Sequence, residues 1–351
     1  MNEFGFINKI RGMAQERGTS PGLVCGIGDD AAVFKSATGT DVVVSTDLLV
    51  EDIDFRRDTT RPELLGYKAL AISLSDIAAM GARPRWAMLS IGLPDEVWKS
   101  EFADNFYEGF FQLAGRYGVT LIGGDVSRAP ERIVIDSIAV GECPSGREVF
   151  RSGAKPGDHI FVTGFLGDAA AGLRLLERGA RLWTVANDSD ANNLAARERP
   201  IDHLLLRHLQ PEPRVGWGIL LSEQRLASAM IDISDGLSSD LNHLCGESKV
   251  GALIDASQIP IDQLVTELTG RRALDPLMLA LHGGEDFELL FTVAPEDVAR
   301  LPKRVDGVSV TRIGEIKESS AGVQIAEGAK VWNLEPGGWQ HFKDDFRTAS
   351  S

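Results

Sequence analysis

The stretch Gly26-Ile27-Gly28-Asp29-Asp30-Ala31-Ala32-Val33 introduces a pattern that returns throughout this chain: an acidic residue that follows glycine, serine or threonine and lies beside an apolar run. Two bare carboxylates about 4 Å apart repel by roughly 4 kcal/mol at an effective dielectric constant near 20. Carboxylates that converge on one cleft therefore need protons or cations to neutralise them. The pattern returns in five later segments, namely Ser45-Thr46-Asp47, Ser75-Asp76, Gly123-Gly124-Asp125, Asp232-Ile233-Ser234-Asp235-Gly236 and Gly283-Gly284-Glu285-Asp286.

The type of ligand atom indicates which cation these segments would hold. Carboxylate, hydroxyl and carbonyl oxygens are the ligands of Mg²⁺, and Mg²⁺ in turn favours phosphate substrates. The histidines show no metal-ligand spacing, and Cys25, Cys143 and Cys245 are isolated, which argues against a zinc site. The sequence therefore predicts several Mg²⁺ ions.

Strands and helices alternate along the chain, which predicts a mixed α/β fold. The Val-rich run 41–47, with a polar carboxyl end, predicts a strand, and Thr60 to Gly81 predicts a helix. The run 119–122 predicts a short strand that feeds Gly123-Gly124-Asp125. Further helices are predicted at 4–17, 95–117, 167–178, 236–245, 260–269 and 275–282, and further strands at 86–93, 132–140, 159–163, 226–233, 251–254, 287–293 and 308–316.

The length of 351 residues favours two domains. The glycine- and proline-rich stretch 141–157 predicts the boundary, which gives domains 1–145 and 146–351. Residues 183–199 are polar and irregular, and they predict a surface excursion.

Charge and composition exclude several classes of protein. The net charge of −15 disfavours nucleic acid and anionic membrane as partners. No window approaches the ~20 apolar residues of a membrane span. The amino terminus lacks the basic and apolar regions of a signal peptide, and the isolated cysteines suit a reducing compartment. We therefore expect a cytoplasmic protein.

Most of these segments also have a purely structural interpretation. The glycines and aspartates of 26–30 and 123–125 suit turns, and Ser234 or Asp235 suits a helix N-cap. The glycines at 283–284 suit a helix end, and Arg151 suits either a phosphate contact or a solvated linker. Asp76 is different, because it lies inside an apolar helical run, where a buried charge needs a cationic partner.

Taken together and in order, the six segments resemble the thiamine-monophosphate kinase family over nearly the whole chain. The wider superfamily includes aminoimidazole ribonucleotide synthetase and selenophosphate synthetase. The Gly-Asp-Asp-Ala-Ala opening at 28–32 and the Gly-Gly-Glu-Asp turn at 283–286 are most similar to the thiamine enzyme. The chain departs from the family at Val126-Ser127, where two threonines are usual.

The resemblance implies two α/β domains, a homodimer formed through the N-terminal sheets, and ATP bound between the domains. Asp47 and Asp76 would be the catalytic residues as shared metal ligands, in a protein that converts thiamine monophosphate and ATP to thiamine diphosphate and ADP. Residues implied at Mg²⁺ are Asp30, Ser45, Thr46, Asp47, Asp76, Asp125, Asp232 and Asp235; those implied at ATP are Tyr107, Gly124, Asp125, Arg151 and Ser234; those implied at the acceptor are Asp54, Glu285 and Trp339.

The acceptor is already a phosphate anion, so no general base is needed, and the hypothesis is direct in-line transfer assisted by positioning and charge neutralisation. Two alternatives stay open. One is another ATP-dependent enzyme of the superfamily, such as an aminoimidazole ribonucleotide synthetase. The other is a non-catalytic protein that binds thiamine phosphates.

Overall fold

The computed structural model describes residues 3–16, 22–36, 39–182, 200–270 and 274–339. The predicted excursion at 183–199 lies outside these residues. Two mixed β-sheets with helices packed on them form the fold, which confirms the predicted mixed α/β class. Residues 145–158 connect the two sheets, and the division into domains 1–145 and 146–351 stays a prediction. Among the described residues, every helix is too short or too polar to cross a bilayer.

The N-terminal sheet has the strand order β1-β2-β3-β6-β4-β5. All its strand pairs are antiparallel except β4–β5. Its elements are α1 (Glu3–Glu16), β1 (Leu23–Cys25), β2 (Ala32–Lys35), β3 (Thr40–Val50), α2 (Pro62–Ala79), β4 (Arg83–Leu93), α3 (Asp95–Trp98), α4 (Phe102–Tyr117), β5 (Thr120–Arg128) and β6 (Val134–Pro144).

The C-terminal sheet has the order β14-β13-β9-β12-β7-β10-β8, and β11 pairs with β12. Its elements are β7 (His159–Thr163), α5 (Asp168–Glu177), α6 (Pro200–Leu209), α7 (Val215–Glu223), β8 (Ala227–Asp232), α8 (Leu237–Ser248), β9 (Gly251–Asp255), α9 (Gln263–Gly270), α10 (Pro276–His282), β10 (Leu289–Val293), β11 (Arg304–Val305), β12 (Val308–Lys317), β13 (Val323–Glu327) and β14 (Lys330–Asn333).

Helix α2 positions the site, because it contacts both halves of the molecule. It packs on β3, β4, β6 and α4 of the N-terminal half, and on α6, α7 and β8 of the C-terminal half. The helix is apolar almost all round and buried along nearly its whole length, as expected of a central helix. Lys68 and Asp76 are therefore charged side chains inside the protein.

Alternation along β3 gives the N-terminal sheet two distinct faces. Val43, Ser45 and Leu49 are buried on the inner face, which α2 covers. On the outer face Val42 and Val44 are only partly buried, and Leu48 is exposed.

The structure corrects four predictions about the elements. Strand β3 does not end at 47 but continues to Val50. The helix predicted at 95–117 breaks after Trp98, where the Ser100 hydroxyl accepts the N–H of Phe102 at 3.2 Å and competes with helical bonding. Gly123-Gly124-Asp125 lies within β5 rather than after it, because β4 continues to pair with this segment. The N-cap of α8 is Gly236, and neither Ser234 nor Asp235 has that role.

Candidate functional site

Three carboxylates from distant parts of the sequence meet at the junction of the two halves. Asp30 precedes β2, Asp76 lies in the last turns of α2, and Asp232 ends β8. One oxygen from each lies within 4.8 Å of the other two. This set, Asp30, Asp76 and Asp232, is called the acidic cluster below. It joins three of the segments that the sequence singled out.

Serine hydroxyls fix the orientation of two of these carboxylates. Ser45 Oγ on β3 donates to Asp76 Oδ2. Ser75 Oγ donates to Asp232 Oδ2 at 2.6 Å, so neighbouring residues of α2 contact both sides of the cluster. Each of these hydrogen bonds holds an acceptor oxygen without neutralising its charge.

Asp47 lies beside the cluster on the same face of β3 as Ser45. Its Oδ2 atom is buried and has no hydrogen-bond partner among the described residues, and the same is true of Oδ2 of Asp30. A buried carboxylate oxygen without a donor is costly. A cation at this position would remove the cost, so the donor set fits a hard divalent ion such as Mg²⁺.

The electrostatics of the cluster agree with this interpretation. Burial, followed by the charge of Asp30, raises the pKa of Asp232 to about 7. Burial also raises the pKa of Asp47 to about 6, and burial with the charges of Asp47 and Asp232 raises that of Asp76 well above its ordinary value. These shifts mean that the ionised cluster is unfavourable until positive charge is supplied.

Arg151 supplies one positive charge at the edge of the cluster. Its guanidinium pairs with Asp30 Oδ1, and its backbone N–H lies 3.2 Å from Asp29 Oδ2. The side chain is mostly buried, and its Nε has no hydrogen-bond partner among the described residues. Arg151 thus has donor capacity left for an anion, which is consistent with the predicted phosphate contact.

Three turns pack together on the C-terminal side of the site, at 234–236, 283–287 and 337–339. The backbone N–H of Glu285 donates to the carbonyl of Ser234 at 2.7 Å. The N–H of Trp339 donates to the carbonyl of Asp235 at 3.2 Å. The Trp339 ring is exposed. The structure therefore brings Ser234, Asp235, Glu285 and Trp339 together, as a second group next to Asp232.

The structure does not bring every predicted residue to the acidic cluster within one chain. Asp47, Ser137, Leu89 and Gly124 occupy one row across β3, β6, β4 and β5. At ~4.8 Å per strand, Gly124 lies roughly 14 Å from Asp47 along this row. Asp125 is next to Gly124, so within one chain it lies too far from Asp47 to share an ion with it, and its ligand role stays a prediction.

Three other predicted residues have local partners. Thr46 points to the outer face, where its hydroxyl donates to Asp136 Oδ1 at 2.7 Å. Asp54 lies in the turn after β3 and accepts the N–H of Val50 at 2.8 Å. Tyr107 lies on α4 against Phe106, with ring centroids 5.6 Å apart. Their predicted contacts with metal, acceptor and ATP stay predictions.

Sequence reasoning missed Lys68 and His208, which contact Glu285. Lys68 Nζ lies 2.7 Å from Glu285 Oε1, and His208 Nδ1 lies 2.8 Å from Oε2. The sequence pattern that pointed to Asp76, a charged residue within an apolar helix, is also present at Lys68. His208 carried no signal, because only the fold brings α6 to the turn at 283–287.

A second group of possible metal ligands consists of Asp168, His203 and Asp262. Three separate elements supply it, so sequence spacing could not reveal it. His203 Nε2 lies 3.9 Å from both carboxylates. Arg207 Nε lies 3.7 Å from Asp168 Oδ2 and already offers that oxygen positive charge. The group is therefore a weaker cation site than the acidic cluster.

Comparison with known families gives a match for each half of the chain. A family model described as AIR synthase related protein, N-terminal domain, matches residues 28–143. The model for the C-terminal domain of the same family matches residues 155–326.

Comparison with individual proteins gives matches over most of the chain. The thiamine-monophosphate kinase of Escherichia coli (strain K12) is 40% identical, over 90% of this chain and 91% of that protein. The Bacillus subtilis (strain 168) protein of the same name is 36% identical, over 98% and 100%. A solved structure of AaThiL complexed with AMPPCP and TMP is 32% identical with a TM-score of 0.80, and the match covers 97% of each chain.

Proposed function

The chain belongs to the thiamine-monophosphate kinase family, and from this premise we propose how it phosphorylates thiamine monophosphate with ATP: by direct in-line transfer at the acidic cluster. The products are thiamine diphosphate and ADP. The observation that carries the proposal is the convergence of Asp30, Asp76 and Asp232, from both halves of the chain, with a buried Asp30 oxygen that no described residue hydrogen-bonds.

The role of these residues follows from the charges of donor and acceptor. Bound Mg²⁺ would neutralise phosphate oxygens and lower the repulsion between two polyanions. Asp30, Asp47, Asp76 and Asp232 would hold it, with Ser45 and Ser75 fixing the carboxylates. The other predicted ligands, Ser45, Thr46, Asp125 and Asp235, belong to the proposal as well.

The remaining residues would bind and orient the two substrates. Arg151 has a buried Nε beside Asp30 that bonds no acceptor in the described part of the chain, and it suits an ATP phosphate. Glu285 and Trp339 flank the turn at 234–235, where an exposed indole suits stacking on a flat heteroaromatic ring. The related structure named above contains AMPPCP, an ATP analogue, together with TMP.

We also propose that the protein works as a homodimer. The outer face of the N-terminal sheet carries partly exposed apolar side chains on neighbouring strands, among them Val44, Val140 and Trp86 in one row. Such a face favours a partner of the same kind. A second copy is also the route by which Asp125 would reach an acidic cluster. The free cysteines at 25, 143 and 245 are consistent with a cytoplasmic location.

The test is an assay with MgATP and thiamine monophosphate, followed by chromatography of the products. The proposal expects thiamine diphosphate and ADP in equal amounts, with no phosphoenzyme. ADP release that requires the substrate of an aminoimidazole ribonucleotide synthetase in place of thiamine monophosphate would point to another enzyme of the superfamily. Stabilisation by thiamine monophosphate without ATP consumption would point to a binding protein. A trapped phosphoenzyme would contradict direct transfer.

A further inference from the structure

Glu285 is held by two cationic-type side chains that come from opposite halves of the molecule. Lys68 on α2 donates to Oε1 at 2.7 Å, and His208 on α6 lies 2.8 Å from Oε2 through Nδ1. The Lys68 side chain is only 2% exposed, whereas that of Glu285 is 28% exposed. The buried side of the carboxylate therefore contacts Lys68 and His208, and its other side faces solvent.

The backbone at Glu285 is also held in an unfavourable conformation. Its φ angle is 66°, in the left-handed region that L-residues rarely adopt. Such strain persists only where the surroundings impose it, and it is concentrated at functional sites. Here the hydrogen bond from Glu285 N–H to the carbonyl of Ser234 fixes the backbone, while Lys68 and His208 fix the side chain.

A buried lysine in an ion pair contributes little to the stability of a fold. Replacing a buried ion pair with apolar side chains of similar volume is often neutral or stabilising. The arrangement does, however, produce an ionised, fully oriented carboxylate with free lone pairs on its open side. A thiamine moiety offers matching groups, since it carries a cationic ring and an aromatic amine.

We propose that Lys68 and His208 are positioning residues that fix the carboxylate of Glu285 for recognition of the thiamine moiety of the acceptor. This inference rests on the proposed function, in which Glu285 binds thiamine monophosphate. It adds two residues, each acting through Glu285 without touching the reacting phosphates.

The charge state of the group supports this role. Burial alone would raise the pKa of Glu285, but Lys68 and His208 outweigh it and lower the pKa to about 2. Burial, and then the charge of Lys68, lower the pKa of His208, with Glu285 and Glu177 acting in the opposite direction. Neutral His208 must carry its proton on Nδ1, because a carboxylate can only accept.

The experiment compares wild type with Lys68→Met, His208→Leu, His208→Asn, Glu285→Gln and the double variant Lys68→Met/Glu285→Gln. For each protein we would measure the KM values for thiamine monophosphate and ATP from pH 6 to 9, and the Kd for thiamine monophosphate by calorimetry. Arg300→Met, at an exposed ion pair with Asp297, is the matched control for exchanging a cation for methionine.

We expect Lys68→Met and His208→Leu to raise the KM and Kd for thiamine monophosphate at least tenfold, about the effect of losing one charge-assisted hydrogen bond. The KM for ATP should stay within about twofold of wild type. His208→Asn should retain most of the affinity, because its amide nitrogen can replace Nδ1 as donor. Arg300→Met should behave as wild type.

Two results separate positioning from a merely structural role. For Lys68→Met, the KM for thiamine monophosphate relative to the wild-type value should grow as pH falls towards 6. Without the positive charge of Lys68, burial raises the pKa of Glu285, so more of this carboxylate is protonated at low pH. The double variant should have the same KM and Kd for thiamine monophosphate as Glu285→Gln alone. This comparison remains valid if Lys68→Met itself fails to fold, because the double variant leaves neither charge of the pair unpaired.

The inference is overturned if the KM for thiamine monophosphate is unchanged, if both KM values rise together, or if the effects of Lys68→Met and Glu285→Gln multiply. Failure of the proposed function is a different observation, namely wild-type protein that makes no thiamine diphosphate. In that case the calorimetric Kd values for thiamine monophosphate still decide whether Lys68 and His208 act through Glu285.

Discussion

Asp76 shows how a single residue defines the site. It lies on a helix that is otherwise buried and apolar, and its carboxylate faces two others, Asp30 and Asp232. Burial and like charge both oppose ionisation, and among the described residues it is the Ser45 hydroxyl that donates a hydrogen bond to this carboxylate. A cation bound there would make the ionised form of this side chain favourable.

Asp47→Asn tests this account at one side chain. The change removes the charge and keeps the shape, so we expect turnover to fall at least ~100-fold, as for loss of a main electrostatic contact, while the protein stays folded. Steady-state kinetics and circular dichroism would measure the two effects. Near-normal turnover would contradict a metal role for Asp47.

Asp41→Asn is the matched control for this variant. Asp41 is buried on the same face of the same strand, where it accepts the Ser145 hydroxyl at 2.7 Å, far from the cluster. We expect Asp41→Asn to change stability only, with turnover close to wild type.

Some of the site residues could be identified from sequence because their signal is local. Asp30, Asp76 and Asp232 each combine a carboxylate with an apolar run, and the structure brings all three together. Alternation within one strand is enough to place Thr46 on the face opposite Ser45 and Asp47. The distance from Asp47 to Asp125, in contrast, depends on strand register and strand order. Those are non-local properties that no single segment encodes.

At the level of elements, the three turns at 234–236, 283–287 and 337–339 are packed through their glycines. A Cβ on Gly284 would overlap the carbonyl oxygen of Ser234, and one on Gly338 would overlap that of Asp235. The glycines therefore permit the close contacts through which the Glu285 and Trp339 turns both pack on the turn at 234–236. Their interpretation as a plain helix end does not account for this contact.

Gly284→Ala is expected to separate two of these turns. The added methyl group must displace the backbone at Ser234 or Glu285, which should cost about 1–3 kcal/mol of unfolding free energy and raise the KM for thiamine monophosphate. Denaturant unfolding and kinetics would measure both. An unchanged KM would contradict the proposed link between turn packing and the acceptor site.

Gly246→Ala is the control for Gly284→Ala. Gly246 is exposed on α8, and a Cβ there meets nothing within 4 Å. Alanine at this position should be neutral or stabilising, by up to about 1 kcal/mol.

The sequence predicted the presence of the helices and strands better than it predicted which strands pair and in which direction. Residues 159–163 and 308–316 have strong strand patterns, and both are strands. The alternation of strands and helices gave no sign that most strand pairs would be antiparallel. Pairing is decided by burial of whole faces, such as the covering of β3 by α2, rather than by any one segment.

For the whole molecule, Leu48→Glu tests the proposed dimer. Leu48 is 58% exposed on the outer face of the N-terminal sheet, in the same row as Asp136 and Asp125. A buried unpaired charge at an interface is strongly unfavourable, so we expect a monomer by light scattering and a loss of turnover. Val331→Glu, at an exposed position on β14, should leave the assembly intact. A monomeric wild type would refute the dimer.

The acidic cluster should also make stability depend on pH and on Mg²⁺. The pKa values of Asp47 and Asp232 are raised to about 6 and about 7, so between pH 4 and these values the folded protein retains protons that the unfolded chain has lost. Without metal, the unfolding free energy should fall as pH rises through this range.

In the proposed function Mg²⁺ would bind the ionised carboxylates, so the gain in melting temperature on adding it should be larger at pH 8 than at pH 5. Thermal unfolding with and without Mg²⁺ at both pH values measures this difference. Asp232→Asn should reduce it. An equal gain at both pH values would mean that the ion binds elsewhere.

The most direct test is anomalous diffraction from a crystal soaked with Mn²⁺, as a substitute for Mg²⁺, and a non-hydrolysable ATP analogue. The account predicts anomalous peaks within coordination distance of Asp30, Asp76 and Asp232, with phosphate oxygens on the open side of the same ions. Nucleotide bound while these three carboxylates contact no metal would contradict it.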